Sequence, residues 1–522
     1  MHKIKLYDTT LRDGAQTRGV SLTVMDKFRI AKKLDQFGIH YIEGGWPFSN
    51  PRDIEFFKMI KKEKLKHSLI ASFGSTRKVG TKASGDPNLQ ALINSQTPVV
   101  TIFGKTWDMH VTEVLRTSLE ENLKMIEDSV RYLKSKGREV IYDAEHFFDG
   151  YINNPGYAMK TLYAAIEVGC DAVVLCDTNG GTVTLDVAKI VEEVLPKVKV
   201  SLGAHMHNDN GMAVANSIVA IQAGCDHIQG TINGLGERCG NADLISIVAN
   251  LKLKLKVDCI SDKSLKELTE LSNFIADTCN MRQMDNQPFV GGSAFAHKGG
   301  VHINAVMKSP ITYEHVMPGK VGNRRHLLIS DLAGKSGIIQ RAEELDIKLD
   351  KKDPKTKEIY ALVQKLEHEG YHFEAAEASF ELLMKRVMGK LKKFFDLEEF
   401  RVIVENREGK LISEATIKIS VGNVKEHTAA LGDGPVNALD NALRKALKGF
   451  YPRLSEMHLT DFKVRVLDEK SATAASVRVL IQSQDEDTSW WTIGVSENII
   501  EASWLALVDS IEYKLMKDLK RK

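Results

Sequence analysis

The sequence predicts a (β/α)8 barrel, followed by a mainly helical connector and a C-terminal α+β regulatory domain. Three observations support this prediction. Short β-branched runs alternate with amphipathic helical stretches about eight times before residue 256, the pattern then becomes mainly helical, and roughly the last 125 residues contain a weak internal repeat. The rival fold is a doubly wound open sheet, but neither GxGxxG nor GxxxxGK[ST] follows the first strand, where such a sheet would bind a nucleotide.

The composition is that of an ordinary globular protein. At roughly 150 residues per domain, a chain of 522 residues predicts two to four domains. The 71 basic and 69 acidic side chains leave a net charge of +2, which argues against a dedicated nucleic-acid binder or a polybasic membrane anchor. No apolar run approaches the ~20 residues that cross a bilayer, and the start MHKIKLYDTT has no apolar signal core. We therefore expect a cytoplasmic protein.

The predicted barrel spans residues 1–265. Its first helical stretch, TVMDKFRIAKKLDQFG, places Val24, Phe28, Ala31 and Leu34 on one face, as expected for a helix that packs against a sheet. The strand candidates, in chain order, are IKLYD, HYIEGG, HSLIASF, PVVTIFG, EVIYDAE, DAVVLCDT, VSLGAHMH and DHIQGTING. Eight such strand–helix units predict a closed barrel.

Two further regions follow the barrel. The connector, residues 266–395, contains the Gly- and His-rich stretch GGSAFAHKGGVHINAVMKSP. In residues 396–522, ATIKISVGN and HTAALGDGPVNALDNALRKAL resemble SVRVLIQSQ and WWTIGVSENIIEASWLALVDSI, so that Thr428 aligns with Thr492 and Leu443 with Leu507. Each copy predicts strand, strand, turn and helix. A duplicated unit of this size favours an interaction or effector-binding domain over a second catalytic one.

The turns of that repeat suggest where an effector could bind. GDG precedes Pro435 and GVS precedes Glu497, and both turns predict free backbone N–H groups at a helix start, which suit the carboxylate of an amino acid. The alternative is that Asp433 and Ser496 are turn and cap residues of a dimerisation domain.

The active site of a barrel lies at the C-terminal ends of its strands, and polar residues are dense there. His205 and His207 follow strand seven with i, i+2 spacing, which puts both imidazoles on one face of an extended strand. Together with a carboxylate from a neighbouring strand end, this pattern indicates a divalent metal site. Asp13 is the predicted carboxylate ligand, and the amide oxygen of Asn241 is a plausible fourth group. Two solvated loop histidines are the alternative.

Arg12 is the predicted substrate-binding residue beside this metal site. Its planar guanidinium matches a substrate carboxylate, and it is also placed to pair with Glu43 at the adjacent strand end. Trp46 and Phe48, by strand two, would crowd the pocket, although barrel packing explains either residue equally well.

Four ordered motifs at the strand ends resemble one enzyme family. LYDTTLRDGAQ, IEGGWPFSNP, HMHNDNGMAVAN and NGLGERCGNADL resemble the metal-dependent acyltransferases and lyases that include isopropylmalate, homocitrate and citramalate synthases and hydroxymethylglutaryl-CoA lyase. WTIGVSENIIEASWLALVDS resembles the allosteric, dimer-forming domain of isopropylmalate and citramalate synthases, which the lyase lacks. GGWP and YDAEHFFDGY are most similar to the citramalate synthase branch of this family.

The resemblance implies roles for individual residues. Asp13, His205 and His207 would hold a divalent ion, Zn, Mn or Mg, with Asn241 nearby. A second set would handle the substrates: Arg12 and Thr178 would bind the 2-oxo acid, Glu43 would orient Arg12, and Glu145 would serve in acid/base work. His302 in GGVH, and Tyr313 in ITYEHV, would complete the active site of the partner subunit in a homodimer, and His297 is a nearby competitor for that role.

The resemblance also implies the reaction. The family's activity closest to this sequence is a Claisen-type condensation of acetyl-CoA with pyruvate, followed by hydrolysis that releases CoA, at the start of a route to isoleucine. Isoleucine would then be the feedback inhibitor. The alternatives within the family are isopropylmalate synthesis from 2-oxoisovalerate, homocitrate synthesis and a metal-dependent lyase. A catalytically inactive barrel is disfavoured because the residues that match the family's catalytic set are intact: Arg12, Asp13, Glu145, His205 and His207.

Overall fold

The computed structural model describes residues 4–327, 338–339, 342–343, 347, 349–350, 353–467 and 475–519. The chain divides into two compact units. The first comprises Met1–Phe295 and Val316–Arg325, and the second comprises Ala296–His315 and His326–Lys522. No helix among the described residues is both long and apolar enough to cross a membrane.

The first unit is a closed barrel of eight parallel strands, which confirms the predicted fold. Each strand pairs with the next, and the first strand closes the barrel against the eighth, with Leu6 opposite Ile228. The strands are β1 Lys5–Asp8, β2 Tyr41–Gly45, β3 Leu69–Ser75, β4 Val99–Lys105, β5 Glu139–Glu145, β6 Ala172–Asp177, β7 Ser201–Met206 and β8 His227–Gly230.

Helices surround this barrel and bury their apolar faces against it. The first begins after Thr23, whose hydroxyl accepts the N–H of Asp26 in a capping box, and its Ile30 and Leu34 are fully buried. The helices of this unit are α1 Val24–Phe37, α2 Pro51–Ile60, α3 Pro87–Asn94, α4 Leu119–Ser135, α5 Phe147–Asn153, α6 Pro155–Ile166, α7 Thr184–Val194, α8 Ala213–Gln222, α9 Leu244–Leu253, α10 Asp262–Lys266 and α11 Leu268–Thr278.

Side chains fill the inside of the barrel, so the barrel is a packed core and not a pore. Tyr7, Tyr41 and His227 pack together near its N-terminal end, and Val99 and Val174 lie among the other buried residues that fill the barrel. Functional groups are therefore confined to the C-terminal ends of the strands.

Residues 266–295 and 316–325 of the predicted connector belong to the first unit. The second unit contains the rest of the connector and the C-terminal domain. Its elements before residue 396 are β9 Ala296–His297, β10 His326–Leu327, α12 Gly300–Lys308, α13 Pro354–His368 and α14 Glu377–Val387. The remaining elements are β11 Asp396–Arg407, β12 Lys410–Val421, β13 Val424–Gly432, α15 Pro435–Lys448, β14 His458–Val466, β15 Val477–Gln484, β16 Ser489–Ser496 and α16 Ile499–Leu519.

The predicted repeat is present, with one more strand in each copy than the sequence indicated. Each copy is a three-stranded antiparallel sheet followed by a helix, and Ile417 pairs with Thr428 in the first sheet as Ile481 pairs with Thr492 in the second. The missed strands are β11 and β14, which form sheet edges. Their side chains are mostly exposed and carry several charges, so the sequence does not show the alternation of a half-buried strand.

One of the two helix starts predicted to have free N–H groups is capped. At the start of α16, the side-chain oxygen of Asn498 accepts the N–H of Ile500, and Ser496 accepts the N–H of Asn498. The prediction of a free helix end there was wrong, because the helix supplies its own cap. At α15 the cap residue is Gly434, which has no side chain for this purpose.

Candidate active site

Asp13, His205 and His207 converge at the C-terminal end of the barrel. The Nε2 atom of His205 lies 3.4 Å from Nε2 of His207 and 3.5 Å from Oδ2 of Asp13, and Nε2 of His207 lies 3.9 Å from the same oxygen. All three side chains are buried. His205 is on β7, His207 follows that strand, and Asp13 lies in the turn after β1, so the barrel brings together ligands from distant parts of the sequence.

A second layer of side chains orients His205. Its Nδ1–H donates to Oε1 of Gln229 at 2.8 Å, and Nε2–H of Gln229 donates to Oδ1 of Asp143 at 3.0 Å. Because Asp143 accepts from the amide nitrogen of Gln229, the amide oxygen faces His205. This fixes the His205 tautomer that leaves the Nε2 lone pair available to a metal.

Asn241 lies beside this group, next to His207 and Asp13. A backbone bridge pairs Asn241 with His207, and Nδ2–H of Asn241 donates to the carbonyl of Leu235 at 3.3 Å. Its buried Oδ1 has no hydrogen-bond partner among the described residues. Gly236, with φ of +158°, passes so close that a Cβ there would lie 2.2 Å from Nδ2 of Asn241. The glycine at position 236 therefore allows the backbone of the loop to pass close to the Asn241 side chain.

These donors fit a divalent cation. Two imidazole nitrogens and one carboxylate oxygen are a mixed ligand set of the kind that catalytic metal sites use. Burial lowers the pKa of His207 to about 3, with further lowering by His205, and burial also lowers the pKa of His205. Burial opposes ionisation of Asp13, but Arg12 and the two histidines hold its pKa below the ordinary value. Neutral imidazoles and an ionised carboxylate are the forms that bind a metal.

Arg12 lies against this cluster and is held on three sides. Its Nε–H donates to Oε1 of Glu43 at 2.6 Å, an Nη1–H donates to Oδ2 of Asp13 at 3.0 Å, and its guanidinium carbon lies 3.7 Å from the ring centre of Phe73. The hydroxyl of Tyr7 donates to Oε2 of Glu43 at 2.6 Å. The fully buried Glu43 therefore fixes the direction of the Arg12 guanidinium. Arg12 can pair with Glu43 and still have donors left for a substrate carboxylate.

A cavity of about 220 Å³ opens beside the metal ligands. Its wall includes Thr178, Glu145, Cys176 and Arg238 besides Arg12, Asp13 and the two histidines, and an aromatic side formed by Trp46, Phe73 and Phe103. Phe48 does not line it and is 46% exposed. The prediction that Phe48 crowds the pocket was therefore wrong, because the loop turns its ring outward.

Thr178, predicted to bind the substrate, and Glu145, predicted for acid/base work, are both tied to neighbours in this cavity. The hydroxyl of Thr178 accepts the N–H of His146 at 2.9 Å, and its carbonyl accepts an N–H of Arg238 at 2.7 Å. Glu145, at the end of β5, forms an ion pair with Lys105, at the end of β4. Both Thr178 and Glu145 remain partly exposed to the cavity.

The connector residues predicted for the partner's site lie in the second unit. The rings of His302 and Tyr313 stack with their centres 4.2 Å apart, and both residues are exposed. Nε2 of the competitor His297 lies 3.3 Å from Oε1 of the buried Glu314. Of the two histidines, His297 is engaged inside its own unit, whereas His302 presents its ring at the surface.

Sequence reasoning missed several residues of this site, among them Tyr7, Phe73, Lys105 and Gln229. Gln229 and Tyr7 had a detectable signal, since a polar group in the middle of a buried parallel strand needs a partner inside the barrel. Phe73 had none, because an aromatic residue in a strand is ordinary core.

Comparison with protein families gives a consistent result along the chain. The HMGL-like model matches residues 3–275, the model described as homocitrate synthase post-HMGL domain-like matches residues 289–370, and the LeuA allosteric (dimerisation) domain model matches residues 374–515.

Full-length relatives agree with these matches. The chain is 57% identical to an (R)-citramalate synthase from Geobacter sulfurreducens over 99% of this chain and 98% of the relative. It is 55% identical to an (R)-citramalate synthase from Aquifex aeolicus, with the same coverage. Identity to a 2-isopropylmalate synthase from Clostridium kluyveri is 31%, over 98% of this chain and 96% of that protein. The chain therefore belongs to the HMGL-like family, within its group of (R)-citramalate synthases.

Proposed function

We propose that this protein condenses acetyl-CoA with pyruvate and water to give (R)-citramalate and CoA. The observation that carries the proposal is the joint presence, in one cavity, of the Asp13, His205 and His207 cluster and the Arg12 fork, in a chain with 57% identity to an (R)-citramalate synthase. A metal beside a fixed guanidinium is suited to a 2-oxo acid, which offers a carboxylate and a carbonyl oxygen.

Arg12 and Thr178 bind the oxo acid in this proposal. Glu43 and Asp13 each use one N–H group of Arg12, which leaves its other donors for the substrate carboxylate and for the oxygen that becomes negative as the new bond forms. The hydroxyl of Thr178 lies in the same cavity and offers a further donor. Because Glu43 and Phe73 hold Arg12 in place, the guanidinium does not have to reorganise during the reaction.

The cation that Asp13, His205, His207 and Asn241 fit would supply Lewis-acid polarisation of the keto oxygen. Glu145 moves protons at the side of the cavity where it meets Lys105. In balance, a methyl proton leaves acetyl-CoA, the resulting carbon bonds to the keto carbon of pyruvate, the keto oxygen takes a proton, and water cleaves the thioester to release CoA.

We further propose a homodimer in which His302 and Tyr313 complete the active site of the partner subunit, and inhibition by isoleucine. The match to a LeuA allosteric (dimerisation) domain supports both proposals. The exposed, stacked rings of His302 and Tyr313 are available to another subunit.

The test is CoA release from acetyl-CoA with a panel of pyruvate, 2-oxobutyrate, 2-oxoisovalerate and 2-oxoglutarate, with and without a divalent cation. We expect pyruvate to give the highest kcat/KM, chelation to abolish turnover, and isoleucine to inhibit more strongly than leucine. Faster turnover with 2-oxoisovalerate, or full activity after exhaustive chelation, would contradict the assignment. The whole chain is needed for the isoleucine test, because Leu382 of α14 shares a core with Leu507 of α16 and a chain that ended near residue 395 would expose it.

A further inference from the structure

The loop after β2 places Trp46 in the aromatic wall of the cavity. Its ring packs edge-to-face against Phe73 and Phe103, with distances between ring centres of 5.9 and 5.7 Å. The Arg12 guanidinium lies over the face of the Phe73 ring. Trp46 therefore belongs to the same packed group as the residue that binds the substrate carboxylate. Most of the other lining residues are polar, so this wall is the apolar side of the cavity.

A buried ion pair between Lys27 and Asp53 anchors the backbone of Trp46. Oδ2 of Asp53 accepts the N–H of Trp46 at 2.8 Å, and Oδ1 of Asp53 pairs with Lys27, whose ammonium also donates to the carbonyl of Gly44 at 3.1 Å. Lys27 and Asp53 are both buried. Gly45 has φ of +142°, and a Cβ there would lie 2.2 Å from Asp53, so this tight approach requires glycine. The loop has little freedom to carry Trp46 away from the cavity.

The ring of Trp46 is held at its far end by Asn88. The indole Nε1–H donates to Oδ1 of Asn88 at 2.8 Å, and Nδ2–H of Asn88 donates to the carbonyl of Ser75 at 2.7 Å. Asn88 is buried, and its own N–H is accepted by Asp86 in the cap of α3. Because the amide nitrogen is used by Ser75, the amide oxygen must face the indole. A rotation of the ring would break this hydrogen bond and leave Oδ1 of the buried Asn88 without its donor.

We propose that Trp46 is the specificity-determining residue for the 2-oxo acid and that Asn88 is its positioning residue. The ring cannot yield to a longer substrate side chain, because it is fixed at the backbone by Asp53 and at Nε1 by Asn88. A methyl group fits against the wall, whereas an ethyl or isopropyl group must displace an anchored indole. This inference rests on the proposed function, in that it takes the cavity to be the 2-oxo acid site.

The test compares kcat/KM for pyruvate, 2-oxobutyrate and 2-oxoisovalerate in variants of the whole protein. Trp46→Leu removes the ring, and Trp46→Phe keeps an aromatic wall without the indole N–H. Asn88→Leu removes the acceptor, whereas Asn88→Asp keeps an oxygen that can accept from the indole. Phe48→Leu is the matched control, since Phe48 lies two residues further along the same loop, outside the cavity.

We expect kcat/KM for 2-oxobutyrate, divided by kcat/KM for pyruvate, to rise roughly tenfold or more in Trp46→Leu, because one methylene supplies discrimination of about that size. The rise should be smaller in Trp46→Phe. Asn88→Leu should shift the ratio in the same direction, Asn88→Asp should restore it, and Phe48→Leu should leave it unchanged. A purely structural role would lower kcat/KM for all three acids by the same factor, and that result would overturn the inference. Failure of the wild-type protein to use pyruvate would instead overturn the proposed function, so the two failures are distinct.

Discussion

His205 and His207 turn their Nε2 atoms toward one another at 3.4 Å, with the carboxylate of Asp13 alongside. Burial lowers the pKa of both imidazoles, so it disfavours a second proton on either ring. A cation between them satisfies both lone pairs and the carboxylate at once. These three side chains therefore form a candidate metal site.

Replacement of Gln229 should weaken metal binding without touching a ligand. Gln229→Met keeps the volume of the side chain but removes the acceptor that fixes the His205 tautomer. We expect affinity for Mn²⁺ or Zn²⁺ to fall roughly 10- to 100-fold, as is typical when the partner of a metal-binding histidine is lost. Calorimetric titration of the whole protein measures this. Gln36→Met, at an exposed position of α1, is the control, and equal affinities in both variants would contradict the role of Gln229.

Arg12→Lys should retain a positive charge but lose catalysis. A lysine cannot donate to Glu43 and Asp13 in the geometry of the guanidinium fork and still face the substrate. We expect kcat to fall roughly 100-fold or more, the loss typical of one preorganised donor. Steady-state CoA release with pyruvate provides the measurement. The same change at the exposed Arg29 should have no effect, and wild-type kcat in Arg12→Lys would exclude the proposed role.

Mixed subunits should reveal whether active sites are shared. Asp13→Asn and His302→Ala should each be nearly inactive alone, but a mixed dimer contains one site that receives both intact residues. If subunits exchange at random, half of the dimers are mixed, and activity should recover to roughly a quarter of the wild-type value. The readout is CoA release after the two purified variants are co-refolded or co-expressed. Absence of recovery in verified mixed dimers would place each site within one chain.

Stability should depend on pH through His227. This residue packs against Tyr7 and Tyr41 in the barrel interior, and burial lowers its pKa to about 3. In the unfolded chain the pKa of His227 is near 6.5, so between pH 6.5 and 3 the unfolded state binds a proton that the folded state does not bind. The contribution of His227 to stability is present above pH 6.5 and is lost as pH falls toward 3.

His227→Phe tests this prediction, because phenylalanine keeps a ring between the two tyrosines. Relative to its value at pH 7.5, the free energy of unfolding at pH 5 should fall about 2 kcal/mol less in the variant than in the wild type. Chemical denaturation at the two pH values measures the difference. Parallel pH profiles for both proteins would show that His227 does not couple folding to protons.

The elements of the barrel follow from local patterns in the sequence. Strands such as β4 and β6 are mostly apolar and buried, and helices such as α1 carry one apolar face and a capping residue, so each type is specified by its own residues. The edge strands β11 and β14 were missed for the corresponding reason, since an exposed strand has no buried face to mark it. The spacing of His205 and His207 likewise specified one half of the candidate metal site, because both lie on one strand end.

The sequence by itself thus determined the barrel, the order of its elements and the identity of the strand-end residues that converge in one cavity. Only the tertiary structure decided how those residues are held. The partners that orient His205, Arg12 and Trp46 are Gln229, Glu43 and Asn88, which lie 24, 31 and 42 residues away in the sequence. No local pattern encodes such pairs, because hydrogen bonds between strand ends depend on the closure of the barrel and on which way each buried side chain points.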